Sequence, residues 1–538
     1  VSRKYTPTRR TYAPQAKGYS EAGASVTRRA MRGFHAQSGS PNEDINRNNY
    51  TLRQRSRMLY MSSSVATAAI NTNRTKVIGV GLTLKSSVDR EILGISPKAA
   101  KEWQRKTEKE FYLWAGKKQN CDATGLNTFD CMQQLALKSW LLSGDVFPLV
   151  KRYKATPFNP YSLRIHLVEA DRVSTPSEYG GSFAVGGVTD GKVPDGKPGA
   201  GHKIYDGVEI DENGFVVAYY IRNTYPFQMT TEPQKWTRVE TYGKKTGLPN
   251  ILHIMDSERP DQYRGVPYLA QVIEPLLQLR RYTESELMAA LVQSFFTAWI
   301  ETKTDTSEIP FNEVGDGGIA GVPGENPQET ISGSVSESPN EYEMGPGTIN
   351  HLEEGETVHF GNPNIPTAGF DNFVKTLCRL IGSALELPYD VLIKEFNSSY
   401  SASRAALLEA WEAFIMRRKW FVDDFCQPIY EMWLAEAVAL GRINAPGFFD
   451  DPLLRSAWCG ARWIGPVQGQ LDPKKEAEAA ITLINDGIKT HEQVTRELGG
   501  GDWEENAEQL KRENDMIREA RTGVQPVASK IGGNGDNE

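Results

Sequence analysis

The stretch Gly186-Gly187-Val188-Thr189-Asp190-Gly191-Lys192 matches the first seven positions of a phosphate-binding loop. Such a loop works because glycines let backbone N–H groups cradle phosphate, the lysine reaches the terminal phosphates, and a following Ser or Thr ligates magnesium. Here the eighth residue is Val193, and Pro194-Asp195-Gly196-Lys197-Pro198 stands where a helix should open. A glycine-rich surface loop is expected, not a nucleotide site. A second candidate, Asp256-Ser257-Glu258-Arg259-Pro260-Asp261, gathers three carboxylates as a magnesium-dependent nuclease does. No lysine or further carboxylate pattern supports it, and Arg259 and Arg264 offer local pairing, so a structural turn is expected. The seven histidines, His35, His166, His202, His253, His351, His359 and His491, never recur at the three- or four-residue spacing that sets two ligands on one helix face. Cys121, Cys131, Cys378, Cys426 and Cys459 are odd in number and never form Cys-x-x-Cys, which reads as reduced, mostly buried thiols. No Gly-x-Ser-x-Gly elbow is present. The expectation is a protein without catalytic residues, metal or cofactor.

Charge carries more information than chemistry. The 538 residues are 39% hydrophobic and 24% charged, an ordinary soluble composition with room for two to four domains. The net charge of −7 hides a basic first segment: residues 1–60 hold twelve Arg and Lys against Glu21, Glu43 and Asp44. A basic arm of this kind commonly meets nucleic acid or an acidic protein surface, with Arg28, Arg29 and Arg32 as candidate contacts. A solvated, disordered tail over 1–45 is the alternative. Residues 302–366 are the opposite, with twelve Asp and Glu against Lys303. The uncharged run Leu287 to Ile300 is too short to cross a bilayer, and the basic N-terminus lacks the apolar core of a secretory signal. Assembly inside a cell is expected.

These segments need elements to hold them. Apolar periodicity predicts helix from about Leu52, then a helix carrying Trp103, Phe111 and Trp114, and another starting at Asn127 or Thr128. After Gly144 the pattern turns to strands at Val146–Tyr153, Leu163–Val168 and Ile251–Met255, with Val208–Ile210 and Phe215–Ile221 flanking an Asn213-Gly214 turn. A long helix is expected from Tyr268 to about Thr302, begun or kinked by Pro275. Short strands are expected around Thr357 to Phe360, then a helix over Phe370–Leu385. A second long helix should run from about Ser403 to Leu440, bent at Pro428; its Arg417, Arg418 and Lys419 either face DNA or pair with Asp423 and Asp424, and pairing is expected. Amphipathic helices near 473–486 and 490–497, a charged helix over 504–521 and a disordered tail complete the chain.

Several segments, taken in order, resemble the lambda-like family of tailed-bacteriophage portal proteins across roughly residues 20–520. They are Tyr50–Arg57 with Ala68–Ile70 and Val77–Leu82; Glu258–Leu269; Leu385–Asp390, Ser398–Ala406 and Arg417–Lys419; and Arg455–Trp458 with Trp463–Gly465. The resemblance implies an α+β portal fold: a basic N-terminal arm (1–50), an α/β wing (51–266), a two-helix stem (267–301 and 367–386), and an inserted clip (302–366). A tunnel loop (387–402), a long kinked tunnel helix with a wing return (403–469), a helical crown (470–521) and a disordered tail (522–538) follow. It implies a ring, usually a dodecamer, at one capsid vertex, assembled in the host cytoplasm and carried in the virion. That ring would be a passive channel for packaging and ejecting double-stranded DNA. The implied partners are the large terminase subunit, a head-tail adaptor protein, and the major capsid protein or scaffold, with no membrane and no cofactor. Candidate channel contacts are Asn397, Ser398, Ser399, Tyr400 and Ser401; candidate clip contacts are Glu341, Glu343, Glu353, Glu354 and Glu356. A channel that lets DNA slide must hold it weakly, because each neutralised phosphate adds affinity through counterion release. Short polar side chains suit that need, and so does an acidic segment if it faces the lumen; facing outward, it would instead meet a basic tail-adaptor or terminase surface. A capsid or scaffolding protein is the structural alternative; a packaging ATPase or a nuclease is the enzymatic one.

Overall fold

The computed structural model describes residues 24, 28–31, 33–34, 36–180, 190–295, 299–302, 356–359, 369–395, 400–469, 472–499 and 501–522. The chain forms two compact units, one of residues 1–273 with 382–538 and one of 274–381.

Helix α1 (Pro41–Ser62) begins at a reciprocal cap: Ser40 Oγ accepts from the Glu43 N–H at 3.3 Å, and Glu43 Oε2 accepts from the Ser40 N–H at 3.0 Å. It starts well before Leu52, where apolar periodicity placed it. The reason is the buried face itself: Asn42, Asn46, Asn49, Arg53, Ser56 and Leu59 recur every three or four residues, but only the last is apolar. Replacing Ser40 with Ala should cost about 1 kcal/mol, read as a lower midpoint in urea; an unchanged midpoint would mean the cap contributes nothing.

Helix α2 (Ser64–Val77) leads to β1 (Thr83–Ser86), α3 (Arg90–Leu93), α4 (Pro97–Ala115), α5 (Lys118–Cys121) and α6 (Phe129–Ser143). Of the two caps the sequence offered α6, Thr128 is used. Strands β2 (Asp145–Arg152) and β3 (Leu163–Glu169) pair antiparallel. A five-stranded antiparallel sheet follows in the order β4 (Gly191–Lys192), β5 (Lys203–Tyr205), β6 (Val208–Ile210), β7 (Val216–Arg222), β8 (Trp236–Glu240). The turn before β7 is held by Asp211 Oδ1, which accepts from the N–H groups of Asn213 and Phe215, while Gly214 takes φ +85°. Strand β9 (Ile254–Met255) joins β2 and is shorter than the expected Ile251–Met255. Pro148 in β2 accepts from the Leu252 N–H but has none to return, so the ladder lapses there and resumes as a single bridge at Ile251. Phe147, Val168, Val173, Val208, Tyr219, Ile221 and Ile251 form the core between these strands.

The chain passes into the second unit within α7 (Ile273–Phe295) and returns within α8 (Phe370–Ala384). The helix expected to reach Thr302 ends at Phe295, and Trp299–Thr302 is instead strand β10, paired antiparallel with β11 (Glu356–His359). Trp299, Ile300 and Thr302 in β10 and Thr357 and Val358 in β11 are aromatic or β-branched types, which favour a pleated ladder over a helix. Pro275 sits in the first turn of α7, where a missing N–H costs nothing. The Tyr282 ring lies 5.4 Å from Phe370 and 4.9 Å from Phe373, joining α7 to α8.

Beyond α9 (Tyr389–Ile393) run α10 (Tyr400–Phe421), a π-turn over Val422–Cys426, and α11 (Gln427–Ala439). The long helix therefore exists, about 60 Å of it at 1.5 Å per residue, and its irregularity precedes Pro428. Proline lacks the N–H that would bond four residues back, and the Gln427 N–H reaches Val422 O, five residues back. Then come α12 (Pro452–Trp458), β12 (Ala461–Ile464) paired with β1, and α13 (Pro473–Asn485), α14 (His491–Gly499) and α15 (Trp503–Thr522). An aromatic core ties α4, α6, the π-turn, α11 and β12 together: Phe111 lies 5.1 Å from Trp433 and 6.0 Å from Trp463, and Phe129 stacks on Phe425 at 5.7 Å. Among the described residues, no helix is long and apolar enough to cross a membrane.

Candidate functional site

The segments that raised the question of catalysis have other work. Gly191 and Lys192 form β4, Val193 is buried, and turns follow through Gly201, so no helix N-terminus faces a phosphate there; residues 186–189 lie outside the described ones. The expected local pairing of Arg259 and Arg264 with the carboxylates of 256–261 is not what forms. Arg259 reaches Asp44 at 2.5 Å and Gly39 O at 3.1 Å, both at the start of α1. Arg264 is fully buried and reaches Asp145 Oδ2 at 2.6 Å and Asp206 Oδ2 at 2.7 Å. The surrounding protein pushes the Asp256 carboxyl above the usual range by partial desolvation, although the residue is exposed at the surface. No group of three or more His, Cys, Asp or Glu is placed to hold a metal ion among the described residues.

Arg264 is the centre of a buried ionic cluster. Arg53 on α1 pairs with the same Asp206 at 3.0 Å and lies 3.8 Å from Asp171, which also receives Arg57. Further donations from Arg264 go to Ala170 O and Val173 O at 3.0 Å. Burial alone would raise Asp145, but Arg264, Arg53 and His253 hold its carboxyl far below the usual range. For Asp206 burial wins over the same arginines and the carboxyl moves up. Next to Arg264, Gly265 packs backbone to backbone on Gly144, and a Cβ there would meet Gly144 O at 1.9 Å. The cluster thus fixes α1, the starts of β2 and β6, and the chain about to enter α7.

The basic triplet of α10 divides. Lys419 pairs with Asp423 at 2.7 Å, as its spacing suggested. Arg417 and Arg418 do not pair with Asp423 or Asp424; they point into the fold. Arg418 Nε donates to Val77 O and its Nη2 to Lys76 O and Pro466 O, each at 2.8 Å, closing the C-terminus of α2. Its guanidinium is pushed down to about 10 by burial. Arg417 donates to Asn73 Oδ1 at 3.0 Å and Glu386 Oε2 at 2.5 Å. Asp424 is left half-buried, and burial, then the neighbouring Asp423, push its carboxyl up to about 6.

Of the candidate channel contacts, Tyr400 and Ser401 open α10, and Asn397, Ser398 and Ser399 lie outside the described residues. Glu356 begins β11 in the second unit; Glu341, Glu343, Glu353 and Glu354 lie outside. Arg28 and Arg29 are exposed, Arg28 just before a short 3-10 turn and Arg29 as its first residue, and Arg32 lies outside the described residues. Sequence reasoning missed Asn73, Tyr268 and Glu386 as the setting of Arg417. A signal existed: Tyr268 and Glu386 stand in the same segments that carried the family resemblance, as do Arg53, Arg57, Arg264 and Gly465.

The profile described as phage portal protein, lambda family, matches residues 27–418. The chain belongs to that family. Portal protein B of Escherichia phage lambda is 25% identical over 483 residues, covering 87% of this chain and 84% of that protein. The portal protein of Escherichia phage N15 is 24% identical over 512 residues, covering 93% and 90%. A probable portal protein of Halomonas phage phiHAP-1 is 23% identical over 468 residues, covering 86% and 80%. Among solved structures, a chain from the neck of a native GTA particle computed with C12 symmetry aligns at a TM-score of 0.37 and 12% identity, over 85% of this portal chain and 94% of that one. The matched family and the sequence relatives are named for the portal and not for an enzymatic activity.

Proposed function

We propose that this portal protein assembles as a closed ring at one capsid vertex and serves as a passive channel for double-stranded DNA during packaging and ejection. The observation that carries the reading is the family match over 27–418. The inserted unit supports it: two helices, α7 and α8, bracket β10, β11 and an acidic segment, as a stem brackets a clip. Leu287, Met288 and Leu291 on α7 and Leu380 on α8 are exposed in the single chain, apolar surface that a neighbouring subunit would cover. On this reading residues 51–266 are the wing, 302–366 the clip that docks terminase and then the head-tail adaptor, 387–402 the tunnel loop, and 470–521 the crown. Force for packaging comes from a partner ATPase, since this chain supplies passage and docking.

Electron microscopy of the purified protein should show closed rings with an axial channel; shells or monomers would sink the reading in favour of a capsid or scaffolding role. ATP turnover and magnesium-dependent DNA cleavage should both be at background. An ATPase abolished by Lys192→Ala, or a nuclease abolished by Asp256→Ala, would restore the enzymatic alternative.

A further inference from the structure

Helix α15 belongs to the same compact unit as α4 and β1, yet it brings no buried side chain to that unit among its described residues. Its large apolar side chains, Trp503, Leu510, Met516 and Ile517, are exposed, and so is every residue from 509 to 520. What joins α15 to the body is charge, arranged with a single polarity. The cations stand on β1 and α4 and the carboxylates on the first two turns of α15. Lys85 Nζ lies 2.6 Å from Glu505 Oε1, Lys101 Nζ lies 2.8 Å from both Glu504 Oε2 and Glu508 Oε1, and Arg105 Nη2 lies 2.5 Å from Glu508 Oε2.

The spacing on both helices explains the match. Lys101 and Arg105 are four residues apart and share one face of α4, as Glu504 and Glu508 share one face of α15. Carboxylates are also favoured in the first turn of a helix, where the N-terminal end of its dipole meets them. The pairs form a network, since Lys101 serves two glutamates and Glu508 serves two cations. Helix α14 is fastened with the same polarity: Arg462, opposite Lys85 across the β1–β12 ladder, lies 2.7 Å from Glu492, and His491 stacks on Trp503 at 5.5 Å. Ion pairs at a surface are individually weak and are screened by salt. A segment held by them, without apolar burial, opens at far lower cost than a core element does.

We propose that α15 is an ionic clasp, docked on α4 and β1 through this network and released when the network is screened, while the body of the unit stays folded. The position of this C-terminal helix then answers to the ionic surroundings of the protein. The clasp goes beyond the portal reading and does not depend on it.

Amide hydrogen exchange of the full-length protein at about 0.05 M and about 1 M sodium chloride tests it, because the screening length falls from more than about 10 Å to about 3 Å, the length of the pairs themselves. Protection across 503–522 should fall roughly tenfold at the higher salt, since the pairs that hold the helix are lost and a free helix of this length is marginal in water. Protection of α11, which carries Trp433 in the aromatic core, should not change. Lys101→Glu with Arg105→Glu should show the lowered protection already at the lower salt. Adding Glu504→Lys with Glu508→Lys should restore it in part, because the pairs re-form with reversed sign while lysines oppose the helix dipole. These four side chains are 35–61% exposed, so their reversal leaves the core intact. Protection of α15 that ignores salt, a loss shared by α11, wild-type protection in the double reversal, or a fourfold swap no better protected than the double reversal each overturns the clasp. The wild-type comparison decides without any variant. Electron microscopy of the same samples keeps the two readings apart: closed rings with salt-independent protection would end the clasp and leave the portal reading standing.

Discussion

Arg264→Gln should lower the stability of the protein by about 3–5 kcal/mol, the usual cost of breaking a buried ion pair from one side. The geometry argues for the upper part of that range. Arg264 and Asp145 are both fully buried, and Asp206 is nearly so. Removing the guanidinium leaves two carboxylates in a space closed by α1, β2 and the Gly144–Gly265 contact, with Arg53 holding only one of them directly. The pH dependence has a definite sign. Asp145 is depressed in the folded state, so its pairing contributes fully above the unfolded carboxyl value, about 4, and is lost as pH falls below it. The variant lacks that contribution, so the gap between it and wild type should be widest near neutrality and narrow below about pH 4. Urea titrations at several pH values measure this. A gap that is constant with pH would mean that lost packing, not lost charge, explains the effect. Arg264→Gln combined with Asp145→Asn should cost less than the sum of the two, because the partners share one interaction.

The same cluster shows what the sequence could and could not reveal. Spacing is legible when the code is apolar: α13, α14 and α15 fall where amphipathic runs placed them, and the Asn213-Gly214 turn lies between β6 and β7 as its residues demand. The two-helix bracket around an acidic segment was visible for the same reason. Helix α1 was only half visible because its buried face is Asn, Asn, Asn, Arg and Ser, which a search for apolar periodicity passes over. Its cap, Ser40 with Pro41 and Glu43, was the overlooked sign. Arginine partners were misjudged for a different reason. Local spacing offers Asp423 and Asp424 to Arg417 and Arg418, and 256–261 to Arg259, but the groups that win lie as far away in sequence as Asn73 and Asp44. Burial selects partners by topology, which spacing does not encode. The π-turn before Pro428 is similar: a proline predicts a fault in the helix, while its type depends on how Phe425 and Cys426 must turn into the aromatic core.

Deleting Asn397–Tyr400 should leave rings intact and cut retained DNA on the order of a hundredfold, since the deletion acts in every subunit and a ring multiplies weak contacts as any multivalent binder does. The segment Asn397-Ser398-Ser399-Tyr400-Ser401, whose last two residues open α10, carries no charge. Contacts from such side chains release few counterions, so each is weak and nearly independent of salt. On the proposed channel reading, weakness per subunit would let DNA slide, and repetition around the ring would keep it from slipping back. The opposite change tests the same argument: Ser398→Lys with Ser399→Lys should tighten binding, slow packaging, and make the rate depend on salt in a way the parent's does not. Nuclease protection of packaged DNA and packaging rates at two salt concentrations measure both. Rings lost on deletion would assign the loop to assembly, and unchanged retention would remove it from the channel altogether. Rings mixed from deleted and intact subunits separate the remaining cases, because an avidity mechanism predicts retention that falls progressively with the deleted fraction, whereas a single obligatory contact predicts an abrupt loss.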